Sequence, residues 1–192
     1  MAGRIIAIVG GPGSGKDLLV RALTDLWSRH AIVVPKHTSR KRRPDDGSEM
    51  ICPDDAGFDL GACDVIYESF GERYGLKTGD IWKGLLTGVF QVVVVSDVNA
   101  INRLREVFAK LVVLIYVHSE VAESEYVSRE RLQDHDEYVA RRARGFWTAY
   151  DTFLRNFGAF DHVLIHAAEP EDLYDQMFRL MRAYETGAIR AR

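Results

Sequence analysis

Gly10, Gly11, Pro12, Gly13, Ser14, Gly15, Lys16 and Asp17 form an unbroken run. An apolar stretch precedes it, Ile5-Ile6-Ala7-Ile8-Val9, and a helix-like pattern follows it, carrying Leu18, Leu19, Val20, Leu23, Leu26 and Trp27. Strand, glycine loop and helix in that order predict an anion site. Glycines let the backbone curl so that successive N–H groups point inward, and the helix adds its free N–H groups and positive dipole end. Lys16 is then placed to reach the β- and γ-phosphates of a nucleoside triphosphate. The pattern G-x4-G-K is complete, but Asp17 stands where a serine or threonine hydroxyl ordinarily ligates Mg²⁺. A carboxylate also suits that hard cation, directly or through water. The plainer alternative is a glycine turn that merely caps a helix; strand, spacing, lysine and helix all agree on the phosphate loop.

The surrounding pattern says what must hold such a loop. Apolar runs recur at Ile5–Val9, Ile32–Val34, Val89–Val95, Leu111–Val117 and His162–Ile165. Helical periodicity falls between them, over about 16–29, 99–109, 120–132, 137–156 and 170–185. Runs without polar alternation, such as Val92-Val93-Val94-Val95, are expected of strands covered on both faces. Strands alternating with helices predict an α/β protein with a parallel sheet. Pro170, Glu171 and Asp172 open the last helix. Residues 36–88 break the rhythm and read as an inserted substrate-binding region with short strands. The expectation is one domain, with a core over about 1–35 and 89–185 and a lid over about 125–145.

Composition narrows the partners. The chain has 192 residues, and its formal net charge of −3 argues against a nucleic-acid partner. Its longest apolar run, Leu111 to Val117, is too short for a bilayer, and its start lacks a signal-peptide pattern. With only Cys52 and Cys63, reduced thiols and a cytoplasmic protein are expected, as a monomer or a homodimer.

Thr38-Ser39-Arg40-Lys41-Arg42-Arg43-Pro44 places four cations just after the second strand. Arginine forks match phosphate oxygens. Alone this is equally a solvated basic loop. After a phosphate loop it reads as a second anion clamp, the feature needed by a kinase whose acceptor is itself phosphorylated.

Here the chain resembles guanylate kinase and its relatives, with the P-loop NTPase fold. The element Thr38-Ser39-Arg40 with Arg43-Pro44 is similar to that family's T-[ST]-R-x-x-R-P. Gly71-Glu72-Arg73-Tyr74-Gly75 is similar to its G-N-Y-Y-G, and Ser96-Asp97-Val98-Asn99-Ala100 to its D-[IV]-[DE]-x-Q-G. Arg131, with Arg142 after it, looks like the arginine pair around the lid. The resemblance runs from about Ile5 to Tyr184. It implies ATP and Mg²⁺ as cofactors, held by Gly10 to Asp17, with Lys16, Arg131 and Arg142 catalytic. Ser39, Arg40, Arg43 and Tyr74 would hold the acceptor phosphate, Glu68 would read a base, and Asp97 would touch the acceptor or join Asp17 near the metal. Asp97 can equally cap the helix that follows it, and Tyr74 can be a half-buried aromatic.

The departures point to the acceptor. Lys36, Met50 and Leu76 stand where guanylate kinases carry hydroxyls or a tyrosine. A site that reads guanine needs polar groups matched to the base. The ribose 1,5-bisphosphate phosphokinase of phosphonate metabolism, another relative, is similar in Gly13-Ser14-Gly15-Lys16-Asp17 and in Gly47-Ser48-Glu49. Three functions therefore stand open: phosphoryl transfer to ribose 1,5-bisphosphate, transfer to guanylate or another nucleoside monophosphate, and a non-catalytic binding or regulatory module.

Overall fold

The computed structural model describes residues 3–44, 46–69, 71–119, 145, 150–151, 153–167 and 169–189. Arg131, Arg142, the expected helix over 120–132 and the expected lid except Gly145 lie outside them. One five-stranded sheet runs β2-β7-β1-β8-β9 and a four-stranded one runs β4-β3-β6-β5. The strands are β1 (Ile5–Val9), β2 (Ala31–Val33), β3 (Lys36–Thr38), β4 (Met50–Ile51), β5 (Val65–Ser69), β6 (Glu72–Leu76), β7 (Phe90–Val94), β8 (Val112–Ser119) and β9 (His162–His166). The helices used below are α1 (Lys16–Leu26), α2 (Thr78–Leu86), α3 (Val98–Phe108) and α4 (Pro170–Glu185).

The chain divides into two compact units, Met1–Ala7 with Leu23–Val113, and Ile8–Ala22 with Leu114–Arg192. In the first, β2 pairs parallel with β7, as their apolar runs require. The second sheet is mixed: β3 pairs parallel with β4 and antiparallel with β6, and β6 pairs antiparallel with β5. Within this inserted region the expectation of short strands is met, but α2 is an addition. Only Ile81 and Leu85 of α2 are buried, one turn apart, and Gly79 and Gly84 weaken its propensity. A carboxylate from outside the helix fixes its start: Asp64 accepts from the Thr78 backbone N–H at 2.9 Å and from its hydroxyl at 2.8 Å. α3 begins at a true cap, because Asp97 accepts the N–H groups of Asn99 and Ala100 at 2.9 and 3.0 Å.

The second unit holds the end of β1, the glycine loop, the start of α1, β8 from Leu114 on, β9 and α4. β8 and β9 are parallel, and six of the eight residues from Val112 to Ser119 are buried apolar side chains. Each such aliphatic side chain stabilises the fold by about 1.5–3 kcal/mol relative to exposure. Asp161 seats β9 by accepting the Leu114 N–H at 2.8 Å while its own N–H donates to the Leu114 carbonyl. Residues 145, 150–151 and 153–155 are helical, as expected within 137–156. Phe153 stacks on Tyr116 with centroids 3.9 Å apart. Pro170 opens α4 with Glu171 and Asp172 in the first turn, as its sequence predicts.

Candidate functional site

The glycine loop leaves β1 and turns on two left-handed glycines, Gly13 (φ 71°) and Gly15 (φ 101°). Neither conformation suits a residue with a Cβ. At Gly15 space forbids one as well: a Cβ would lie 2.8 Å from Leu173 Cδ2 and 2.9 Å from His166 Nδ1. At Gly10 a Cβ would lie 2.5 Å from Ser14 Oγ and 2.7 Å from the Val117 carbonyl oxygen. Neighbours therefore crowd the loop backbone at both glycines. The Lys16 ammonium lies over the loop, donating to the Gly11 carbonyl at 2.5 Å and to Ser14 Oγ at 3.5 Å. Lys16 is also the first residue of α1, so the lysine and the helix's free N–H groups open at one place. The loop thus fits a nucleotide's phosphates, with backbone donors, a helix N-terminus and one fixed cation. Asp17 is exposed in the first turn of α1, where a carboxylate oxygen is open to a hydrated Mg²⁺. Among the described residues no three His, Cys, Asp or Glu side chains form a metal-holding group.

His166, at the end of β9, is 2% exposed, and its Nδ1 has no hydrogen-bond partner among the described residues. Nothing in its sequence neighbourhood signals this place; the fold shows that it lies against Gly15.

The acceptor-side residues belong to the first unit. In antiparallel pairs, directly opposed residues share a face. Thr38 opposes Tyr74, which opposes Tyr67, so these three share a face, and Lys36, two residues before Thr38, shares it too. The rings of Tyr67 and Tyr74 stack at 5.4 Å. The Lys36 ammonium lies 5.3 Å from the Tyr74 centroid and donates to the Val94 carbonyl at 3.2 Å; the Tyr67 hydroxyl donates to the same oxygen at 3.3 Å. Burial, with Tyr74 and Asp97 nearby, pushes the Tyr67 phenol well above its usual range, so it stays a neutral donor. Sequence reasoning missed Tyr67; strict alternation through β5 was the signal that could have found it.

Glu68 goes elsewhere. It opposes Arg73 on the other face and is exposed, so the register does not bring it beside Tyr74. Ser39 braces the sheet, its hydroxyl donating to Glu72 Oε2 at 2.8 Å and accepting the Arg73 N–H at 2.9 Å. Asp97 is the α3 cap described above, its Oδ1 accepting both backbone N–H groups.

The basic loop is partly neutralised from within. Arg40 is bound through both terminal nitrogens by the Asp46 carboxylate: Nη2 donates to Oδ1, and Nη1 donates to Oδ2 at 2.7 Å. Arg42 pairs with Asp55 and donates to the Met50 carbonyl at 2.6 Å. The Arg43 guanidinium is exposed, and its backbone N–H donates to Asp46 Oδ2 at 2.7 Å.

No family model and no curated protein matches the chain. Among solved structures it is similar to one described as the crystal structure of guanylate kinase from Anaplasma phagocytophilum, at 18% identity and a TM-score of 0.63, over 95% of this chain and 86% of that one. At that identity the likeness establishes the fold: a P-loop α/β fold of the guanylate kinase type, with a mostly parallel sheet flanked by helices. No helix among the described residues is long and apolar enough to cross a membrane.

Proposed function

We propose that this protein transfers the γ-phosphoryl group of ATP to a small phosphorylated acceptor. The observation that carries the reading is the glycine loop, with Gly13 and Gly15 left-handed and the Lys16 ammonium held over its interior. Phosphoryl transfer asks little covalent chemistry of a protein; it asks for position and neutralised charge. The loop N–H groups and Lys16 would hold the β- and γ-phosphates, and Lys16 would exchange its Gly11 carbonyl for a phosphate oxygen. When bound, Mg²⁺ would supply charge neutralisation at the phosphates, and Asp17 and, on the family resemblance, Asp97 are the carboxylates that would serve it. Arg131 and Arg142 are assigned to the closing lid by that resemblance alone. Arg40, Arg43 and Tyr74 would receive the acceptor phosphate.

Within that class we favour ribose 1,5-bisphosphate, whose 1-phosphate would attack to give the 5-phosphoribosyl diphosphate. What supports an acceptor without a base is the set of groups at the positions where guanylate kinases carry their acceptor contacts. Lys36 is cationic and bound to Val94, Leu76 is wholly buried, Met50 is buried, and Glu68 faces away from Tyr74. A second reading, guanylate as acceptor, is favoured by the fold likeness and by the spacing of Arg40, Arg43 and Pro44. A coupled ATP-consumption assay with Mg²⁺ separates them, run with ribose 1,5-bisphosphate, with a panel of nucleoside monophosphates and without acceptor. Turnover with the sugar bisphosphate alone supports the first reading and turnover with GMP the second. Acceptor-independent hydrolysis alone would refute both.

A further inference from the structure

Arg40 is fully charged, and three of its donors are held within its own loop. A guanidinium has five N–H donors. Nη1 spends both of its hydrogens, on Asp46 Oδ2 and on the Lys41 carbonyl at 2.9 Å. Nη2 spends one on Asp46 Oδ1. Among the described residues the bonds to Asp46 and Lys41 leave one donor on Nη2 and one on Nε, side by side along a single edge, which is the geometry that receives two oxygens of one phosphate or carboxylate. The Tyr74 oxygen is near enough to share in hydrogen bonding to this guanidinium. The pair is enclosed, with side chains 10% and 8% exposed. Burial works against the charge on Asp46, but Arg40 and the Arg43 N–H outweigh it and hold the carboxyl below its usual range. Tyr74 acts on Arg40 in the same sense as Asp46, favouring the cation. Arg42 and Asp55 form a similar brace in the same loop, but they are 41% and 30% exposed and no tyrosine is coupled to them.

We propose that Asp46 is a positioning residue for acceptor binding: by occupying the terminal fork of Arg40 it turns the Nε–Nη2 edge, beside Tyr74, into the seat of the acceptor's phosphate. The inference rests on the kinase reading for what the phosphate is attached to, and on geometry alone for where it binds. Asp46 also marks out the division of labour in the basic loop. Arg42 holds the loop's shape, whereas Arg40 is held so that it can hold something else.

The test titrates inorganic phosphate calorimetrically into the full chain, with the phosphate loop first filled by a non-hydrolysable ATP analogue. It compares the wild type with Asp46→Asn, Asp46→Glu and Asp55→Asn, each with its Tm. Asp46→Asn is expected to weaken phosphate by about tenfold or more, because a charge-assisted pair that aims the arginine is lost. Asp55→Asn is expected to stay within about threefold, and Asp46→Glu to fall between the two. If Asp46→Asn does not fold, Asp46→Glu carries the comparison and must bind phosphate more weakly than Asp55→Asn. With an acceptor that turns over, Asp46→Asn should raise the acceptor KM while kcat and the ATP KM stay within about threefold. Equal weakening in Asp46→Asn and Asp55→Asn would reduce Asp46 to a loop brace. Tighter phosphate in Asp46→Asn would make Asp46 a competitor of the anion, and no saturable phosphate in the wild type would remove the seat; each overturns the proposal. Failure of every acceptor to turn over would remove the kinase reading and leave this titration to be judged separately.

Discussion

The Lys16 ammonium donates to the carbonyl of Gly11, five residues back across its own loop, at 2.5 Å. The cation is therefore parked where an anion's charge is to be met, and its bond is one a phosphate oxygen can replace without moving the helix. Lys16→Ala should lower kcat by about 10²–10³-fold, the scale of losing one preorganised charge contact in a transition state. Stability should change by no more than about 0.5 kcal/mol, the scale of a substitution outside the core. Steady-state kinetics beside a urea melt checks both; near-normal turnover would remove the loop from the chemistry.

Gly10 is squeezed between Ser14 Oγ and a backbone carbonyl, that of Val117, and the carbonyl cannot swing aside. Gly10→Ala should cost about 1–3 kcal/mol through forced backbone shifts and abolish binding of a fluorescent ATP analogue. A variant that melts and binds like the wild type would mean the loop stands further from β8.

Asp17→Ser restores the residue usual at that position. If the carboxylate serves Mg²⁺, directly or through water, the half-saturating Mg²⁺ concentration should move several-fold at fixed ATP. An unchanged Mg²⁺ profile would take Asp17 out of the mechanism.

His37 carries a pH dependence whose sign follows from its bond. Its Nδ1 accepts the Asp59 N–H at 3.1 Å, so the folded ring is neutral there. Burial, and then Lys77, holds its pKa below the ordinary histidine value. Between the folded value and the unfolded one, about 6.5, the unfolded chain binds more protons, so stability rises with pH in that window. Its contribution is complete above the unfolded value and is lost as pH falls through the folded value. Urea midpoints at pH values from about 7.5 down to about 5.5 should fall, and His37→Gln should flatten the slope. An equal slope in the variant would assign the loss to other groups.

Much of this was legible in the chain. β1 runs from Ile5 to Val9 as its apolar run says, α1 starts at Lys16, and α4 starts at Pro170. These are places where local pattern and tertiary role coincide. α2 was not legible, because two glycines and only one buried apolar pair make a weak helix that a distant Asp64 and burial stabilise. Nor was the partner of Arg40, since a carboxylate six residues on lies at no regular spacing. Glu68 and Tyr67 differ by one position, and in a strand one position is the other face. Only the pairing register decides which of them meets Tyr74.

Ala109, at the end of α3, has φ 47° and ψ −123°, a conformation that costs a residue with a Cβ. Ala109→Gly should raise stability by about 0.5–1 kcal/mol, the relieved strain exceeding the added freedom of the unfolded chain. A lowered denaturation midpoint would show that Ala109 is unstrained.

The most direct test of the kinase reading follows the γ-phosphoryl group itself. ATP labelled at the γ-phosphate is incubated with Mg²⁺, wild-type or Lys16→Ala protein, and ribose 1,5-bisphosphate or a nucleoside monophosphate, and the label is traced to product. The account predicts label on the phosphorylated acceptor with the wild type and almost none with Lys16→Ala. Label released only as inorganic phosphate, or equal transfer by both proteins, would contradict it.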